Sequence, residues 1–191
     1  MPYRKDAFVS GNIYHIYNRG INKMPIFVNP ENYAYLLHKV KQLLSELPIT
    51  ILAYCLMPNH YHFVLIQDGD IPISKFIQRL FQTYTQAFNT QQKRKGPLFE
   101  GRFCHAHVDQ DEYVIHLCRY VHLNPVTAGL VSSPEEWLYS NYLEWIEARS
   151  GTLVNREFIR QFFPTPGAYA TFVQEHITQK KSQQLQPYLL D

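Results

Sequence analysis

Two histidines separated by one residue, His60 and His62, lie just past a turn pair, Pro58-Asn59, in a stretch that reads as a strand. Residues i and i+2 of a strand face the same side. The spacing therefore sets two imidazoles next to each other on a stiff support. Imidazole is the commonest protein ligand for metals, and two such ligands call for a third. The bland reading is a pair of surface or half-buried strand histidines. A second His-x-His, His105 and His107, falls on another short strand and also puts two imidazoles on one face.

A second chemical stretch lies near residue 120. Asp109 and Glu112 form an Asp-led variant of the capping box and open a helix, which Pro125 is expected to end at about Asn124. Val114, Leu117, Cys118 and Val121 make its apolar stripe. Tyr113, His116, Tyr120 and Asn124 make another, rotated by roughly 100°. Tyr120 and Asn124 are i and i+4, hence neighbours on that face. A structural reading makes Tyr120 one more packing tyrosine among fourteen.

The elements that must position these groups follow from periodicity and punctuation. Residues 12–19 alternate as a strand, with Gly20 as a break. Asn29-Pro30 supplies an N-cap residue and a proline at the first helical position, followed by Tyr33, Leu36, Val40 and Leu43 at helical spacing. Residues 49–57 and 60–67 form a hairpin around Pro58-Asn59. A helix starts near Ser74, carrying Phe76, Ile77, Leu80, Phe81, Tyr84 and Phe88, and residues 103–108 are a fourth strand. The order β-α-β-β-α-β predicts an α+β fold, the ferredoxin-like split βαβ antiparallel sheet, with additional C-terminal helices. We expect residues 1–146 to form the catalytic domain. Residues 147–191 are expected as a helical extension packed on it, with a mobile polar tail from about 179.

A chain of 191 residues can bury a core without staples. Its net charge of +2 does not by itself argue for nucleic acid, so local clusters must carry that case. Cys55, Cys104 and Cys118 are widely spaced and read as reduced and buried. The start of the chain has no signal-peptide run, and no apolar stretch reaches membrane-spanning length. A cytoplasmic protein with no membrane partner is expected.

Three strings together resemble the IS200-like tyrosine transposases, and most closely their chromosomal kin, the REP-associated tyrosine transposases. They are Tyr14-His15-Ile16-Tyr17-Asn18-Arg19-Gly20, Met57-Pro58-Asn59-His60-Tyr61-His62, and Arg119 to Leu130 with its Tyr120-Val121-His122-Leu123-Asn124-Pro125 core. The likeness covers about residues 10–145. It implies a single-stranded DNA endonuclease and strand transferase of the HUH type acting on hairpin DNA. By position, His60 and His62 would hold a divalent metal, Mg²⁺ or Mn²⁺, and Tyr120 would be the nucleophile. Asn124 stands where the mobile-element enzymes carry a Gln that completes the metal site, with an arm shorter by one methylene. A 5′-phosphotyrosine link and a free 3′-OH would result. A monomer is expected, although the mobile-element enzymes share their site between two subunits.

Arg19, Lys23, Lys93, Arg94, Lys95, Arg102 and Arg119 are the candidate DNA contacts, with His105 and His107 as further candidates or as members of a histidine cluster shared with His15. A short basic run is also what an ordinary solvated loop looks like. The main rival is a domesticated hairpin-DNA-binding protein that no longer cuts. An RNA-binding module of similar fold is the other, although no RNP-type motif is visible.

Overall fold

The computed structural model describes residues 8–109 and 111–179. Its strands are β1 (Ile13–Arg19), β2 (Ile49–Met57), β3 (His60–Gln67) and β4 (Cys104–Val108). Its helices are α1 (Pro30–Leu44), α2 (Ile73–Gln91), α3 (Asp111–Thr127), α4 (Tyr142–Trp145), α5 (Arg156–Phe162) and α6 (Pro166–Gln179). The strands form one antiparallel sheet in the order β2-β3-β1-β4. This is the expected split βαβ arrangement, with β3 and β1 at the centre.

Both faces of the sheet are covered, which is why β2 and β3 read as nearly continuous apolar runs. One face carries Tyr14, Ile16, Tyr61, Phe63 and Leu65 and packs on the stripes of α1 and α2. α1 is capped as expected, with Asn29 Oδ1 accepting from Asn32 N at 3.0 Å. The other face carries Val64 and packs on α3, α4, α5 and α6 through Leu117, Val121, Trp145 and Tyr169. A register shift near Leu52 bulges β2, and the Leu52 carbonyl accepts from Trp145 Nε1 at 2.9 Å and Asn141 Nδ2 at 3.0 Å. The expected tail from 179 lies almost wholly outside the described residues.

The expectation that Pro125 ends its helix at Asn124 does not hold. α3 runs to Thr127 with Pro125 inside it. Proline removes one i→i−4 bond, but Pro125 is buried and the turn beyond it is closed by other donors. Ala128 N reaches Asn124 O at 2.9 Å, Gly129 N reaches Val126 O at 3.0 Å, and Leu130 N reaches Pro125 O at 3.0 Å. The last two bonds make a Schellman ending, with Gly129 in the left-handed conformation at φ +68°. Asn124 therefore keeps its helical register. Of the cysteines expected to be buried, Cys55 and Cys118 are, but Cys104 is exposed because it opens the edge strand β4.

His122 ties the C-terminal helices to the sheet. It is wholly buried, with Nε2 2.9 Å from Asn141 Oδ1 and Nδ1 2.6 Å from the Tyr169 hydroxyl. Burial pushes its pKa down from 6.5 to about 4, partly offset by the Asn141 hydrogen bond. Between those values the unfolded chain holds a proton that the fold does not. Stability from this group is therefore lost as pH falls from about 6.5 towards 4. In urea unfolding, wild type should lose about 2 kcal/mol more than His122→Gln between pH 7.5 and pH 5. Equal losses would show that His122 is not held neutral by the fold.

Candidate metal and nucleophile site

The hairpin and α3 converge on one face of the sheet. A two-residue turn forces Met57 opposite His60, and the separate pairing of β1 with β3 puts His62 opposite Tyr17 and Arg19 opposite His60. Tyr61 points to the other face, where it stacks on Phe81 with ring centroids 4.1 Å apart. His60 and His62 thus share the α3 face, their rings 5.1 Å apart and nearly perpendicular. From α3, the Tyr120 ring meets His62 edge-on at 5.7 Å and His15 at 6.4 Å. One turn further, Asn124 Oδ1 lies 3.1 Å from His60 Nε2. The four residues singled out in the sequence meet within a single chain.

His60 has an amide oxygen at each ring nitrogen, Asn59 Oδ1 at Nδ1 and Asn124 Oδ1 at Nε2. Asn59 Nδ2 donates to the Lys23 carbonyl at 3.3 Å, which turns Asn59 Oδ1 towards His60 Nδ1 at 2.7 Å. Burial lowers the His60 pKa; the Asn124 contact offsets part of this and the Arg19 charge adds to it. A neutral imidazole has one N–H, and Asn59 takes it at the shorter distance. With the proton on Nδ1, His60 Nε2 faces Asn124 Oδ1 lone pair to lone pair, an arrangement that a cation between them would relieve. His62 is wholly buried, and burial, then His15 and His60, hold its pKa well below the ordinary value. Its Nε2 has no hydrogen-bond partner.

These features fit a cation. Two neutral imidazole nitrogens and an amide oxygen form a mixed N/O donor set. A separation near 3 Å is what adjacent ligands of an octahedral ion with bonds of about 2.1 Å would show. Among the described residues no group of three His, Cys, Asp or Glu side chains could hold a metal; here the third donor is an amide.

The second His-x-His does not join this site. His15 pairs with Ala106, while Tyr14 and Ile16 pair with His107 and His105. Strand alternation therefore turns His105 and His107 to the opposite, α1/α2 face, where their rings lie 4.9 Å from Phe8 and 5.4 Å from Tyr14. The shared histidine cluster is ruled out by a parity the sequence did not specify. His116 keeps its helical position one turn before Tyr120, but its ring packs on α6, 5.3 Å from that of Phe172. Tyr113 is two turns before Tyr120, about 10 Å along the helix.

The basic candidates separate likewise. Arg19 stands at the His60 end of β1 and pairs with Glu100 at 3.1 Å. Lys23 lies in the loop after β1, where Gly20 is required because a Cβ would come within 2.1 Å of the Met24 carbonyl. Lys93, Arg94 and Lys95 lead into the segment that runs beside this loop, with Ile21 N on Leu98 O at 3.0 Å and Glu100 N on Arg19 O at 3.0 Å. Arg102 lines a groove of about 760 Å³ with Phe81, Phe99 and Phe103 on the α2 side of the sheet. Arg119 is buried under α6, its guanidinium 4.1 Å from the Phe172 ring and 2.9 Å from His116 Nδ1. It serves packing there, away from the rim that carries Lys23. Asn59 contributes to the site through its contact with His60 Nδ1, and the adjoining His60 is its only signal in the sequence.

A family model described as "Transposase IS200 like" matches residues 8–124. A Haemophilus influenzae chain assigned to the REP-associated tyrosine transposases is 24% identical over 160 residues, covering 76% of this chain and 88% of that one. The REP-associated tyrosine transposase of Escherichia coli is 22% identical over 111 residues, covering 58% and 64%. Among solved structures, a REP-associated tyrosine transposase bound to a REP hairpin superimposes with a TM-score of 0.64 at 18% identity, covering 81% of this chain and 94% of that one. That likeness is one of fold. No helix among the described residues is long and apolar enough to cross a membrane.

Proposed function

Because this chain belongs to the IS200-like transposase family, we propose that it is a metal-dependent endonuclease and strand transferase acting on single-stranded, hairpin-forming DNA. The observation that carries this reading is the contact of His60 Nε2 with Asn124 Oδ1 at 3.1 Å, with the His62 ring 5.1 Å from that of His60 and 5.7 Å from that of Tyr120, and His62 Nε2 buried without a hydrogen-bond partner. A binding module needs none of that constellation. Mg²⁺ or Mn²⁺ held there by His60, His62 and Asn124 would supply Lewis-acid polarisation of the scissile phosphate and neutralise charge on the departing oxygen.

This chain's own residues do the rest. The phenolic oxygen of Tyr120 attacks phosphorus, the bond to the 3′-oxygen breaks, and a 5′-phosphotyrosine forms. The phenolic proton passes to solvent, and the 3′-oxygen takes a proton from water to leave as 3′-OH. The link keeps the phosphodiester's energy, so the strand can be rejoined without a nucleotide cofactor. Lys23 and the Lys93–Lys95 loop would neutralise phosphates at the rim, and Arg19 would do so next to His60. Since one chain assembles the four residues, the active unit is read as a monomer.

The test is incubation with labelled single-stranded hairpin DNA and Mn²⁺. The expected result is a denaturation-resistant protein–DNA adduct that a chelator abolishes. A REP hairpin, the ligand named for the hairpin-bound neighbour, is the first substrate to use. Tight hairpin binding with no adduct under either metal would overturn the enzymatic reading in favour of a domesticated DNA-binding protein.

A further inference from the structure

His15 is wholly buried on β1, on the same sheet face as the candidate metal site. An imidazole in an apolar layer is costly unless hydrogen-bonded, and a phenylalanine would fill the same space without that cost. The ring stacks on His62 at 5.1 Å with an interplanar angle of 18°, and His15 Nε2 lies 2.9 Å from His62 Nδ1. The register creates this contact. His15 pairs with Val64, which makes His62 its diagonal neighbour on the shared face.

We propose that His15 is a positioning residue for His62: its Nε2 accepts the Nδ1 proton of His62 and holds His62 in the tautomer whose Nε2 lone pair faces the site. The inference rests on the metal reading given above. Only one nitrogen of a neutral imidazole carries a proton. If His15 were the donor, the proton of His62 would sit on Nε2, pointing an N–H at the place where a cation must bind. With His15 as acceptor, His62 matches His60, whose Nδ1 proton goes to Asn59 Oδ1 at 2.7 Å. Both candidate ligands are then tied at Nδ1 and present Nε2. Two different acceptors, an amide on the turn and an imidazole on the neighbouring strand, produce the same presentation. Ligating histidines in general need such a partner on the far nitrogen.

The first measurement is the tautomer itself, read from ring-nitrogen NMR of metal-free protein at pH 7.5. His62 is expected with its proton on Nδ1; a proton on Nε2 overturns the proposal, whatever the activity. The second is Mn²⁺ affinity by calorimetry. His15→Phe keeps the stacked ring but removes the acceptor, and should weaken Mn²⁺ binding about 10- to 100-fold. His15→Gln restores an acceptor oxygen at similar reach and should recover part of that loss. Unchanged affinity in a folded His15→Phe protein, or equal loss in both variants, overturns the proposal. Should His15→Phe fail to fold, the wild-type tautomer and the Gln variant still decide. Wild type that shows the Nδ1 proton on His62 but takes up no Mn²⁺ overturns the metal reading while supporting the tautomer lock.

Discussion

Tyr120→Phe should eliminate the covalent DNA adduct and lower strand cleavage by roughly 10⁴-fold or more, the scale of losing a nucleophile. Metal uptake and hairpin binding should remain within about twofold. The separation is possible because Phe keeps the ring that meets His62 edge-on at 5.7 Å and His15 at 6.4 Å. Only the hydroxyl is lost, from a side chain that is partly rather than fully buried. The cost to stability should stay within about 1 kcal/mol. The decisive measurement is a denaturing gel of protein with labelled hairpin DNA and Mn²⁺, beside calorimetric Mn²⁺ titration of the same samples. If the adduct survives, the nucleophile is elsewhere. Tyr17 is then the first alternative, with its ring 6.1 Å from His62, and Tyr113 the second. If metal uptake collapses along with the adduct, Tyr120 has a role in building the site beyond supplying the attacking oxygen.

The second large effect concerns stability. Asn141→Ala should destabilise the fold by about 3–5 kcal/mol, at the upper end for a single substitution. Asn141 is wholly buried and its amide is used at both ends. Its Oδ1 accepts from Tyr54 N at 2.8 Å and from His122 Nε2 at 2.9 Å. Its Nδ2 donates to the carbonyls of Leu52 at 3.0 Å and Leu153 at 3.1 Å. One side chain therefore joins β2, α3 and the segment leading into α5. Truncation strands buried donors and acceptors, each costing about 1–3 kcal/mol when unpaired. Asn141→Asp should be no milder, since it keeps the acceptors but loses both donors and adds a buried charge. Chemical denaturation reads the result, and a loss below about 1 kcal/mol would show that the four bonds do not act together. Cleavage should fall with stability, because α3 carries both Tyr120 and Asn124 and is seated through His122.

Much of this was legible in the sequence for local reasons. The bounds of β2 and β3 follow from apolar runs flanking Pro58-Asn59, and Asn29-Pro30 marks the start of α1. The ferredoxin-like order follows from alternating periods of 2 and 3.6. His60 and His62 share a face because strand geometry repeats every two residues. Tyr120 and Asn124 share one because a helix turn spans nearly four. The end of α3 was misread for a physical reason. Proline at 125 disfavours a helix locally, but one lost hydrogen bond near a helix terminus is outweighed when the ring is buried and Gly129 closes the turn behind it.

The sequence by itself determined the elements, their order and the local pairing of chemical groups, since those depend on periods and caps within a few residues. It also carried the likeness that names the family. What only the tertiary structure decided was parity and partnership across elements. Whether His105 and His107 join His15 and His62 depends on which residue of β4 faces which residue of β1, and Ala106 opposite His15 excludes them. Arg119 looked like a phosphate contact until α6 was seen to lie over it. Asn59 looked like an ordinary polar residue, and His15 like a partner of His105 and His107, until their oxygen and nitrogen were found 2.7 and 2.9 Å from the two candidate ligands. Such contacts join positions 47 residues apart as readily as adjacent ones, because they are set by register and packing, which no short-range pattern encodes.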